Sequence, residues 1–212
     1  MSRLRVINLG LPKSGTTTFA RALKLSGLKT ADYRIRKRQT DDKELHNAFV
    51  GQLLYQGYFH TGDPLAFVEE FDGFAELNVL REGLSLWPQA DWGLLSAIQA
   101  HHPGVKFVST WREPRAISDS MLRWSNLGVE RLPKYGIPGL PEGFGETSAE
   151  RVTWIKGHYA LMDRLFQDDL NYLRLDVAAP DAHKKLSQFL GRDLPWWGRA
   201  NRNPKSKGQE AA

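Results

Sequence analysis

Residues 3–27, RLRVINLGLPKSGTTTFARALKLSG, constrain the fold more than any other part of this chain. Arg3 to Leu9 alternates and carries the β-branched pair Val6 and Ile7, as a strand requires. Gly10 to Gly15 supplies a turn, and from Thr16 the apolar period lengthens. Phe19, Ala22, Leu23 and Ser26 fall at i, i+3, i+4 and i+7, with Gly27 placed to cap the helix end. Such a strand, turn and helix, repeated along a chain, builds a parallel sheet. The turn is also suited to an anion. It presents unpaired backbone N–H groups and the positive end of a helix dipole, and Ser14, Thr16 and Thr17 add hydroxyl donors.

The unit recurs. A second helix is predicted to start near Asp41 and Asp42, whose carboxylates suit a helix N-terminus, and to run through Leu45, Phe49 and Leu53 toward Gly57. FDGFAEL (71–77) reads as a weaker strand. Asp91 to His102 reads as a helix closed by Pro103-Gly104, and VKFVSTW (105–111) as a buried strand. Pro114 can open the next helix, which carries Ile117, Met121, Leu122 and Trp124 toward Gly128. Seven of the thirteen residues from Pro133 to Gly145 are Gly or Pro, so this segment is expected to be a surface loop, with the composition of a lid. Thr147 and Glu150 form a capping-box pattern ahead of a long helix through Val152, Ile155, Tyr159, Met162 and Phe166. NYLRLD (171–176) is a further strand, and Ala182 to Leu190 a last helix ending at Gly191. The expectation is a three-layer α/β fold with a central, mostly parallel sheet of about four or five strands flanked by helices. Ligands then belong at the carboxyl ends of the strands.

A chain of 212 residues, 41% hydrophobic and 25% charged, can bury one sizeable core. It reads as a single domain over residues 1–198 with a basic, polar tail at 199–212. No apolar run approaches the roughly 20 residues of a membrane span, and MSRLRVINLG enters a strand with no signal-peptide core, so a cytoplasmic protein is expected. The sequence has no cysteine, which excludes disulfides, thiolate nucleophiles and cysteine-held zinc. The net charge of +5 gathers at Arg34 to Arg38 (RIRKR) and at Arg199, Arg202, Lys205 and Lys207. Both runs suit an anionic small ligand or weak nucleic-acid contact, and both are also read as a solvated face and a frayed tail.

The Gly-rich turn has the spacing of a nucleoside-triphosphate P-loop but not its order. In that loop a lysine follows the second glycine and a hydroxyl follows the lysine. Here Gly10 and Gly15 keep the spacing, the lysine is Lys13, and Thr16 and Thr17 stand after the glycine.

LGLPKSGTT resembles the 5′-phosphosulfate loop of the sulfotransferases that use 3′-phosphoadenosine 5′-phosphosulfate. That family has a second signature: an Arg at the end of a later strand, a Pro two residues on, and a Ser eight residues after the Arg. FVSTWREPRAISDSMLRW supplies Arg112, Pro114 and Ser120 at this spacing, with Ser118 off it. LNYLRLD and KKLSQFLGRDLP are similar to the strand and helix near the end of many members. The likeness spans Leu4 to about Pro195 and is strongest to a bacterial branch.

The resemblance implies a P-loop-like sulfotransferase fold, with the phosphosulfate donor as co-substrate and no required metal. Lys13 would stabilise the leaving phosphate, with Ser120 restraining it until the acceptor arrives. Ser14, Gly15, Thr16 and Thr17 would cradle the 5′-phosphosulfate, and Arg112 and Ser120 would hold the 3′-phosphate. From the residues alone, Arg112 could instead pair with Glu113. The animal cytosolic enzymes use a His after Lys-Thr as general base, and no such triplet occurs here. Glu76 stands at the matching place, with His60 and Asp72 as alternatives. His101 and His102 read as helix-end residues. Trp196 and Trp197 could stack on adenine, line the acceptor pocket or plug the core. The expected partner is a small hydroxyl or amine acceptor, with no nucleic acid. A P-loop nucleotide kinase and a non-catalytic anion- or nucleic-acid-binding domain remain the alternative readings.

Overall fold

The computed structural model describes residues 3–198 and residue 200. Its centre is a sheet of five parallel strands: β1 (Val6–Asn8), β2 (Thr30–Ala31), β3 (Gly73–Phe74), then β6 (Lys106–Trp111) and β7 (Tyr172–Asp176). Their spatial order is β2-β3-β1-β6-β7, every pairing parallel. The remaining strands, β4 (Val79–Arg81) and β5 (Leu84–Leu86), form a separate antiparallel hairpin turned at Glu82-Gly83, with Gly83 at φ 70.

Alternation along the strands builds the layers. Ile7, Leu9, Phe74 and Phe107 face one side and pack on helices α2 (Val50–Thr61), α3 (Trp92–His101) and α6 (Ser148–Leu165) through Val50, Leu54, Leu94, Ile98 and Met162. Val6, Val108 and Leu175 face the other side, against α1 (Thr16–Leu25) and α7 (Ala182–Leu190) through Phe19, Leu23 and Leu186. A third apolar cluster joins α4 (Pro114–Leu122) and the single turn α5 (Leu132–Lys134) to the hairpin and α6. The result is a three-layer α/β architecture compatible with a P-loop-like fold. No helix among the described residues is long and apolar enough to cross a membrane.

Where a segment carries its own start or stop chemistry, the expected element is present. Thr147 and Glu150 form the capping box of α6, and Glu113 caps α4 by accepting from Ala116 N at 2.9 Å. Gly191, at φ 59, ends α7.

Four expectations are corrected. The second helix begins at Val50, not near Asp41, because residues 33–50 fold back on themselves: Ile35 N–H donates to Ala48 O (2.9 Å) and Asn47 N–H to Ile35 O (2.8 Å). Asp42 holds a local turn by accepting from Glu44 N, and Asn47 is left-handed at φ 68. The helix then runs to Thr61, past Gly57. The strand expected over 71–77 pairs only at Gly73–Phe74, and α4 stops at Leu122, with Ser125 left-handed at φ 50. The Gly/Pro-rich loop lies at the surface but is anchored: Ile137 and Leu140 bond each other's backbone and are buried beside Trp154. It borders a small hollow near Trp87 and Trp92, away from the main cleft.

Candidate functional site

The connection after β1 runs toward β2, and the one after β6 toward β7 on the other side. A crevice therefore opens between the carboxyl ends of β1 and β6. Asn8, fully buried at the tip of β1, ties the neighbouring strands together there. Its amide donates to Ala75 O (2.7 Å), and its Oδ1 accepts from Gly10 N (3.0 Å), Thr110 N (3.1 Å) and Thr110 Oγ1 (3.1 Å). Ser14 is also fully buried, with its hydroxyl 2.7 Å from Thr110 Oγ1. Tyr159 Oη donates to Thr110 O (2.7 Å) and accepts from Leu11 N (3.3 Å), and burial pushes its phenol up to about 12. His158 reaches Leu9 O at 2.8 Å, and burial pulls its imidazole down to about 4, so the neutral ring donates this bond. The loop thus rests on a rigid polar floor. The Ser14 side chain belongs to that floor and is not among the residues that line the cleft.

Above the floor the backbone turns sharply, with Lys13 at φ 71 and Gly15 at φ 118. Between them Ser14 N–H donates to Leu11 O at 3.1 Å and closes the turn. Helix α1 begins there with Gly15 at its N-cap, no side-chain cap and no acidic residue in its first turn. Its positive end is therefore open to an anion. A side chain at Gly15 would meet Val177 at 2.7 Å, so the close approach of the loop to the end of β7 also requires glycine.

Lys13 projects into the cleft, with its ammonium 3.6 Å from the centre of the Trp124 ring. Burial lowers its pKa from the ordinary value; Arg112 and Arg123 lower it further, and Glu76 opposes them. Glu76 follows β3 and accepts from Thr16 Oγ1 at 2.9 Å. Burial raises its pKa, against the Thr16 hydrogen bond and the charge of Lys13. A carboxyl and an ammonium thus share one cleft, and burial disfavours the charged form of each.

On the other side Arg112 leaves the tip of β6 and lies within 3.5 Å of Lys13 O. Glu113 turns away to cap α4, so the alternative pairing with Arg112 is absent. Ser120 faces the cleft from the second turn of α4. Ser118, two residues earlier, faces the core and accepts from Arg151 Nε at 3.0 Å. The helical period thus separates the two serines as the spacing implied. Ser120 does not hold Lys13, whose neighbour is Trp124.

The cleft encloses about 1430 Å³. Lys13, Gly15, Thr16, Thr17, Glu76, Arg112 and Ser120 all line it. So do Arg34, Arg36 and Arg38, which are not merely a solvated face, together with Arg81, Arg123 and Arg131, which sequence reasoning missed. The alternation of arginines in RIRKR was the available signal for one-sided display. The other three depend on the unforeseen hairpin and on the break after α4. Trp197 is partly buried against the α1/α7 layer and also lines the cleft, while Trp196 stacks under the Arg21 guanidinium at 4.3 Å.

The alternative bases are elsewhere. His60 is exposed on α2, bonded to Gln56 O at 2.7 Å, and Asp72 precedes β3 at the opposite end of the sheet, paired with Arg3 at 2.7 Å. His102 caps α3 and pairs with Asp63 at 2.8 Å. No group of three or more His, Asp or Glu residues that could hold a metal ion occurs among the described residues. The basic tail residues Arg199, Arg202, Lys205 and Lys207 lie outside the described residues. Comparison with protein-family models and with curated proteins gives no match for this chain.

Proposed function

We propose that this chain is a sulfotransferase that moves the sulfuryl group of 3′-phosphoadenosine 5′-phosphosulfate to a hydroxyl or amine of a small acceptor. One observation carries the reading. The tips of β1 and β6 bring Lys13, Arg112 and Ser120, the residues of the two sequence signatures, into a single cleft with a partly desolvated carboxyl, Glu76.

The open N-terminus of α1 and the left-handed loop suit the 5′-phosphosulfate through backbone N–H groups, with Thr16 and Thr17 beside them. Arg112 and Ser120 suit a 3′-phosphate. Glu76 takes the proton of the acceptor as its oxygen or nitrogen bonds to sulfur. The bond from sulfur to the bridging oxygen breaks, and Lys13 meets the charge that grows on that oxygen. Little else is asked of the protein than to align the partners and keep water out. A sulfuryl group carries less negative charge than a phosphoryl group, which lessens the need for a magnesium-binding hydroxyl directly after the lysine.

Titration calorimetry with 3′-phosphoadenosine 5′-phosphate tests this reading. The expected result is tighter binding than to adenosine 5′-phosphate, with the preference removed in Arg112→Ala. Equal affinity for the two nucleotides, or a preference that survives Arg112→Ala, would contradict it. A magnesium-dependent preference for ATP would favour the nucleotide kinase.

A further inference from the structure

We propose that the half of the cleft beyond β2 and β3 recognises a second anion, and that the acceptor carries a phosphate, sulfate or carboxylate group besides the hydroxyl or amine that takes the sulfuryl group. This inference rests on the donor reading above.

Five arginines line that half: Arg34, Arg36 and Arg38 after β2, Arg81 at the end of β4, and Arg131. None has a carboxylate partner among the described residues. The nearby carboxylates are taken, Asp32 by Lys24 at 2.9 and 2.8 Å and Glu76 by Thr16. What holds four of these guanidiniums is neutral. Arg34 and Arg81 lie 5.5 and 5.6 Å from the Phe49 ring centre, and Arg36 lies 5.9 Å from that of Tyr33. Arg34 Nε donates to Asn47 O (3.0 Å), and Arg131 Nη1 to Leu80 O (2.7 Å). Arg131 Nε is buried with no hydrogen-bond partner.

Rings and carbonyls orient these cations without neutralising them, and crowded like charges are relieved when an anion binds. Planar forked donors match a phosphate or carboxylate better than a neutral hydroxyl. The stacked Tyr33 and Phe49 rings, 6.2 Å apart, add an apolar surface for the body of the acceptor. The volume agrees, because one small ligand usually occupies about 300–1000 Å³ and this cleft encloses about 1430 Å³.

The test is a calorimetric titration of protein saturated with 3′-phosphoadenosine 5′-phosphate, with inorganic pyrophosphate as the probe. The double variant Arg38→Gln/Arg81→Gln alters two exposed side chains, and its circular dichroism checks the fold. Pyrophosphate is expected to bind the loaded wild-type protein and to bind the variant at least about tenfold more weakly, with nucleotide affinity changed less than about twofold. Loss of pyrophosphate binding once the nucleotide is bound, or equal binding by the variant, would overturn the proposal. Displacement of pyrophosphate by a single-stranded oligonucleotide, with a steep salt dependence, would also overturn it by giving the arginines to nucleic acid. If the nucleotide itself fails to bind, the donor reading falls. The arginine site is then decided by pyrophosphate titration of the unloaded protein, where the same loss in the variant is required.

Discussion

Lys13 combines three features that rarely coincide: a left-handed backbone without being glycine, a partly desolvated ammonium, and an aromatic face as its neighbour. The account gives it the leaving-group charge, so Lys13→Met should lower the transfer rate by about 100- to 1000-fold while nucleotide binding survives. Steady-state rates and calorimetry on the same preparation check this. Because the Lys13 pKa lies below its ordinary 10.5, the rate should begin to fall at a lower pH than an ordinary lysine would dictate, and Lys13→Arg should remove that alkaline limb. Glu76 makes a prediction about stability. Its folded pKa is raised above 4.5, so as pH climbs through 4.5 the unfolded chain ionises first and the folded state loses relative stability. The loss continues up to the raised value and is constant beyond it. Glu76→Gln keeps an acceptor for Thr16 and avoids this loss. It should melt at the same temperature as wild type well below pH 4.5 and at a higher temperature near neutrality, while being inactive. Equal melting temperatures across that pH range would contradict the burial assigned to this carboxyl.

At the scale of elements, the loop is positioned by what lies beneath it. Asn8→Ala removes one donor and an acceptor shared by three groups, all buried, and should cost about 2–3 kcal/mol, read from the urea midpoint. Gly10→Ala should be at least as damaging, because its Cβ would strike the hydroxyl and carbonyl of Thr110 and the hydroxyl of Ser14. These contacts also explain how far the sequence could be read. The units β1 to α1, β6 to α4, and α6 and α7 carry their own periodicity, capping or terminating glycine, and each was legible. Two-residue β3 is a strand because β1 is beside it, and two-residue β2 because β3 is beside it in turn, a tertiary fact with no local pattern. Asp41 and Asp42 resemble a helix start, but the fold-back of residues 33–50 overrides that propensity. The hairpin did leave a trace, Glu82-Gly83 between two short apolar runs, which a search for turns would find. At the site, the two segments that bring Lys13, Arg112 and Ser120 to the cleft were legible because each leaves a strand tip and enters a helix with its own start chemistry. The floor contact of the Ser14 hydroxyl was not legible, because it depends on Thr110, which the fold brings beside it from β6. Trp124 and Arg123 owe their place in the cleft to the break at Ser125, which no residue pattern announced.

For the molecule as a whole, strand order places the crevice, and the charge distribution decides what enters it. The described lining has eight cations, Lys13, Arg34, Arg36, Arg38, Arg81, Arg112, Arg123 and Arg131, against the carboxyls of Asp32 and Glu76. Such a cleft concentrates anions, and its attraction is screened by salt. Affinity for 3′-phosphoadenosine 5′-phosphate should therefore fall as potassium chloride is raised, and less steeply in Arg112→Ala than in wild type. The central claim is that this cleft transfers a sulfuryl group, and it is tested most directly by incubating the protein with donor labelled in that group and a mixture of anionic and neutral small alcohols and phenols. The account predicts label in an anionic acceptor with wild-type protein, and an initial rate at least about 100-fold lower with Lys13→Met or Glu76→Gln, although both variants still bind 3′-phosphoadenosine 5′-phosphate. Binding of that nucleotide with no label transferred by wild-type protein, or equal transfer by the two variants, would contradict it.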